Sequence, residues 1–108
     1  MTSITIYRDR EGYIGFSTHG HAGYAEYGED IVCAGISALV LNAINSIEAF
    51  TEDHFTAQAE EESGNIEFRI EGRPSAEAEL LLESMVLGLK GIQNDYGKKF
   101  LTLHFKEV

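Results

Sequence analysis

Ile31-Val32-Cys33-Ala34-Gly35-Ile36-Ser37-Ala38-Leu39-Val40-Leu41-Asn42-Ala43-Ile44-Asn45-Ser46-Ile47-Glu48-Ala49-Phe50 contains no proline and is rich in Ala, Leu and Ile. It is too long for a strand and reads as a helix. Its apolar residues go nearly all the way round, interrupted chiefly by Ser37, Asn42, Asn45 and Ser46. Such a helix is buried on most sides, or partly covered by another subunit.

On the N-terminal side, Ser3 to Arg8 and Tyr13 to Thr18 alternate apolar and polar residues around Asp9-Arg10-Glu11-Gly12. That is the pattern of a β-hairpin. On the C-terminal side, Phe55, Ala57 and Ala59, then Ile66, Phe68 and Ile70, alternate in the same way about Ser63-Gly64-Asn65. They predict a second hairpin. Pro74-Ser75 opens a second helix, with Ser75 as its cap and Glu77 and Glu79 at its positive end. Leu81, Met85, Leu89 and Ile92 keep helical spacing up to Gly97, a natural stop, and Leu101, Leu103 and Phe105 alternate in a last strand. The order ββαββαβ implies an α+β fold, a two-layer sandwich with both helices packed on one sheet. At 108 residues, 44% hydrophobic, with one proline, residues 1–108 read as one globular domain.

The chain has 8 Lys plus Arg against 18 Asp plus Glu, a net charge of −10. Such a surface repels phosphate backbones, so no direct nucleic-acid partner is expected, whereas a basic polypeptide would be attracted. The same charge also serves simply as a solvated, solubilising surface. Met1-Thr2-Ser3 leads straight into a strand with no export signal. The apolar stretch Ile31 to Leu41, broken by Gly35 and Ser37, is too short to span a bilayer. Cys33 is the only cysteine, so no internal disulfide forms and the cytoplasm is the expected compartment.

Candidate chemistry lies between residues 19 and 37. A lone cysteine among Ile31, Val32, Ala34 and Ile36 is commonly a small core residue. In the first turn of a helix, however, it meets the positive end of the dipole and backbone N–H groups without partners, and both favour the nucleophilic thiolate. The backbone N–H groups of Cys33 and Ala34 would then serve as oxyanion donors. His21, at the end of the second strand, is the candidate proton-transfer partner; His19 competes, and spacing does not choose between them. Asp30 has two readings. It caps the helix by accepting the N–H of Cys33, or it turns to His21 and orients the ring. Ser37, one turn past Cys33, shares its face and bonds back to a carbonyl or supports the site. Gly20, Ala22, Gly23, Tyr24, Tyr27 and Gly28 form a glycine-rich connector, or a gate over a substrate peptide.

From Gly20-His21-Ala22-Gly23 through Tyr27-Gly28-Glu29-Asp30-Ile31-Val32-Cys33-Ala34-Gly35 to Ser37-Ala38-Leu39, the chain closely resembles the signature of the ribosomal-processing cysteine protease family, Prp. The resemblance implies a cysteine endopeptidase that removes a short N-terminal extension from the twenty-seventh protein of the large ribosomal subunit. It implies His21 and Cys33 as a catalytic dyad, Asp30 and Ser37 in support, a homodimer, and a flexible loop over the site. No cofactor is expected. The acidic surface would steer a basic ribosomal protein toward it.

Three other readings compete. His19, His21, Cys33 and Asp30 offer metal-ligand chemistry, but without the paired spacing usual for zinc, so no metal is expected. A thiol redox cycle lacks a resolving cysteine. A non-enzymatic assembly factor that binds a basic ribosomal protein is the remaining alternative.

Overall fold

The computed structural model describes residues 2–20, 29–60, 63 and 65–108, and the backbone alone of Glu29 and Asp30. Along the chain run β1 (Thr2–Asp9), β2 (Gly12–His19), α1 (Glu29–Phe50), β3 (Phe55–Ala59), β4 (Ile66–Ile70), α2 (Ala76–Tyr96) and β5 (Leu101–Glu107). The ββαββαβ order read from the alternation is the order found. The strands form one sheet in the order β3-β4-β2-β1-β5. β1 lies antiparallel to β2 and parallel to β5, and β4 lies antiparallel to both β2 and β3.

Period-two alternation decides which face of this sheet is covered. Ile4, Ile6, Phe16, Phe68, Ile70 and Leu101 point to one face and join Val32, Ile36, Val40 and Ile47 of α1 and Leu82, Met85, Val86 and Leu89 of α2 in a single core. Phe68 sits between Phe16 and Phe55, with ring centroids 5.2 and 5.1 Å away. The opposite face carries Thr5, Tyr7, Ser17, Glu67 and Arg69, where the Tyr7 hydroxyl donates to Ser17 Oγ at 3.1 Å and the Arg69 guanidinium lies over the Tyr7 ring. Two layers result.

Two glycines set the path of β2. A Cβ on Gly15 would meet the backbone carbonyl of Phe68 at 2.3 Å, so only glycine lets β2 and β4 pair this closely. At the other end Gly20 has φ +74, a left-handed conformation that turns the chain out of the strand.

The helices run antiparallel to each other: Gly35 faces Ile92, and Gly88 leaves room for Leu39. Ser75 caps α2 as expected, accepting the Ala78 N–H at 3.1 Å, and Asp53 accepts the N–H and hydroxyl of Ser75. The first helix corrects two expectations. It begins at Glu29, two residues earlier than Ile31. Its apolar run also extends beyond Leu41, since Ile31–Phe50 is long and apolar enough to cross a membrane by length and composition alone. In the fold, the apolar stripe formed by Val32, Ile36, Val40, Ala43 and Ile47 is buried in the domain core.

Candidate active site

Cys33 is half-buried and opens into a cleft of about 340 Å³ between α1 and one end of the sheet. The helix wall is Cys33, Ile36, Ser37, Val40 and Leu41. Their spacing of three and four residues stacks them on one side of α1. The sheet wall comes from the first residue of β1 (Thr2), the end of β2 (Thr18 and, just past it, Gly20), the end of β3 (Ala59 and the adjoining Glu60) and the start of β4 (Ile66). These strands bring their ends together because neighbours in the sheet are antiparallel. The sulfur is therefore not sealed in the core. Ser37 is exposed and lines the same cleft one turn further along, as its spacing implied.

The position of the helix start changes what Cys33 receives from it. In an α-helix beginning at Glu29, Cys33 is the fifth residue, just past the first turn. Its N–H and that of Ala34 fall on the carbonyls of Glu29 and Asp30 in the i to i−4 pattern. The expectation that these two N–H groups stand free as oxyanion donors is corrected accordingly. Asp30 is likewise inside the helix rather than its cap, since a capping residue has non-helical backbone angles. The dipole's influence weakens beyond the first turn, so it acts on Cys33 less than a first-turn placement would give.

Strand geometry turns His19 away from Cys33. Thr18 faces the Cys33 cleft, so His19, its neighbour in β2, points to the opposite face. There His19 is exposed and lines a different hollow with Gln58, Glu60, Asn65 and Glu67. Gly20 returns to the Cys33 cleft, and its N–H donates to Asn65 Oδ1 at 3.1 Å. His21 is the next residue in the chain. His21, Ala22, Gly23, Tyr24, Tyr27 and Gly28 lie outside the described residues, as does the side chain of Asp30. For the metal reading, His19 and Cys33 open into separate hollows.

Several residues of the site had no signal of their own. Thr2 and Thr18, both nearly buried, form part of the sheet wall, and the Thr18 hydroxyl accepts the Ile66 N–H at 3.0 Å. Asn65, read only as a turn residue, ties Gly20 to the β3–β4 turn. The alternation of β2 could have shown Thr18 facing the core side with Phe16. Asn65 could not have been found locally, because it acts across a strand pairing.

Comparison with known proteins places this geometry. Residues 1–100 match the family model for the cysteine protease Prp. The chain belongs to the Prp family of cysteine proteases. It is 33% identical to the ribosomal processing cysteine protease Prp of Bacillus subtilis over 101 residues, which is 89% of this chain and 90% of that one. The Staphylococcus aureus Prp is 33% identical over 87 residues, 81% of each chain. Its crystal structure with a covalently linked product peptide superposes with a TM-score of 0.88 at 30% identity, covering 98% of this chain and 100% of the other. A second crystal structure of that Prp, with a substrate peptide, gives a TM-score of 0.90 at 29% identity and the same coverage. The Prp fold thus accounts for all seven elements, and the chain is a cysteine protease.

Proposed function

We propose that this Prp-family enzyme removes the N-terminal extension of the twenty-seventh protein of the large ribosomal subunit, with Cys33 as nucleophile and His21 as general acid and base. One observation carries the assignment of the nucleophile. Cys33 is the only cysteine of a cysteine protease, and it opens into a cleft rather than into the core. His21 is favoured over His19 because β2 turns His19 away from that cleft, while Gly20, immediately before His21, lines it. The relatives named for ribosomal processing support a ribosomal protein as substrate, and the relative crystallised with a covalently linked product peptide supports the covalent route.

In this mechanism the His21 imidazole takes the Cys33 proton, and the thiolate attacks the carbonyl carbon of the scissile bond. The imidazolium then protonates the leaving amine as the C–N bond breaks, and a thioester remains on Cys33. Water, deprotonated by His21, attacks the thioester and releases the new carboxylate with the thiol restored. With the N–H groups of Cys33 and Ala34 spent within the helix, Ser37 supplies the side-chain hydroxyl on the α1 wall of the cleft. Asp30 orients the imidazole. A net charge of −10 draws a basic ribosomal protein in.

A second copy of the chain would cover apolar surface that α2 leaves open at Leu80 and Leu87, two turns apart on one stripe. Sedimentation equilibrium reads this directly, and a monomer mass would remove the homodimer. The lone cysteine suits a reducing cytoplasm, which cell fractionation checks.

The deciding experiment incubates the enzyme with the host's full-length ribosomal protein and weighs the products. The native enzyme shortens it. Cys33→Ala and His21→Ala bind it and leave it uncut, and His19→Ala cuts normally. An assembly factor that only binds would leave the mass unchanged even with Cys33 in place.

A further inference from the structure

β3 is the outermost strand of the sheet, and it ends at Ala59 in the Cys33 cleft. Its pairing with β4 fixes which backbone groups are spent. The Glu60 N–H donates to the Asn65 carbonyl at 2.9 Å, and the Glu71 N–H donates to the His54 carbonyl at 2.8 Å. Hydrogen-bonded pairs alternate along an antiparallel ladder, so residues 54, 56, 58 and 60 use their groups on β4. The N–H and C=O groups of Phe55, Ala57 and Ala59 therefore point outward, away from the sheet.

An edge of this kind is normally guarded by charge, proline or a bulge, because it templates pairing with another chain. β5, the edge on the other side, carries Lys106 and Glu107 and is salt-bridged to Arg8. β3 reads Phe-Thr-Ala-Gln-Ala, with no charged residue and no proline. Ala57 and Ala59 are exposed although they belong to the strand face that packs toward the helices. Their small side chains leave space beside the Cys33 cleft for side chains from an added strand.

We infer that the substrate peptide binds in extended form as a sixth strand along β3, pairing with the backbone of Ala57 and Ala59 so that its scissile bond reaches Cys33. The inference rests on the assignment of Cys33 as nucleophile. Main-chain pairing supplies register and affinity, and alternate substrate side chains face the cleft. An unguarded edge is retained because its partner is the substrate.

Two measurements test this with a synthetic peptide spanning the processing site. N-methylation of the peptide, one amide at a time away from the scissile bond, lowers kcat/KM about tenfold at alternate residues and leaves the intervening ones unchanged. With Cys33→Ala and the same peptide, hydrogen exchange of the Ala57 and Ala59 amides slows, while the amides of Thr56 and Gln58, already bonded to β4, do not change. Ala57→Pro removes one outward N–H without touching the β4 ladder and raises KM. If cleavage stops in Cys33→Ala but N-methylation has no effect at any position and Ala57 gains no protection, the edge proposal is overturned alone. Cleavage that survives Cys33→Ala overturns the nucleophile assignment and the edge proposal with it.

Discussion

Asn65→Ala separates the stability of this fold from the placement of the segment that follows Gly20, which carries the proposed general base His21. Asn65 is held in the β3–β4 turn by its own N–H, which donates to Ser63 Oγ at 3.1 Å, and by its carbonyl, which accepts the Glu60 N–H. Its side-chain oxygen accepts the N–H of Gly20, the residue before His21. Truncation to alanine keeps both backbone contacts and removes only the one to Gly20. A neutral hydrogen bond contributes about 1 kcal/mol net. Gly20 is exposed, so its freed N–H returns to water, no burial penalty is added, and about 1 kcal/mol is the ceiling for the loss of stability. The effect on catalysis is larger. A displacement of about 1 Å in a reacting group costs on the order of a hundredfold in rate. Urea unfolding and steady-state peptide cleavage measure the two effects separately. The expected result is a loss of up to about 1 kcal/mol of stability with kcat reduced about ten- to a hundredfold and KM little changed. Asn65→Asp, which keeps the acceptor oxygen, restores most of kcat. If Asn65→Ala loses that stability yet retains kcat, the strand end does not position the loop and the reasoning fails.

Two further outcomes follow from the scaffold. Gly15→Ala places a Cβ 2.3 Å from the Phe68 carbonyl, and backbone cannot yield as a side-chain tip can; β2 and β4 must part, at a cost of about 1–3 kcal/mol. An unchanged melting temperature would show that the two strands are not in such close register. Partial burial raises the Asp53 carboxyl pKa, but donation from the Ser75 hydroxyl and N–H, with Thr51, outweighs it and holds the group below its ordinary value. Because the folded pKa is the lower one, the stabilisation is complete above the ordinary carboxylate pKa and is lost as pH falls through the folded value. Asp53→Asn therefore costs at most about 1 kcal/mol at neutral pH and flattens the acid limb of stability against pH; an acid limb identical to the parent's would refute the role.

Sequence alone determined the elements of this protein and singled out its one thiol, Cys33. Alternation at period two in five segments and periodicity in two others are local properties that any fold of this chain must satisfy, because they decide which side of each element can leave water. A single cysteine needs no structure to be singled out, and Ser37 follows one turn later from helical spacing. The start of α1 was less legible, since Glu29 and Asp30 bear no apolar signal, and Cys33 accordingly moved from the first turn to the second. What the tertiary structure decided concerns residues distant in sequence. Strand order brings Thr2, Thr18, Ala59 and Ile66 to one cleft, faces His19 away from it, joins Asn65 to Gly20 and leaves β3 at an open edge. Apart from the facing of Thr18 and His19, which follows from the alternation of β2, none of these relations is encoded in any local window, because each depends on the register and order of strands, chosen by the packing of the whole core.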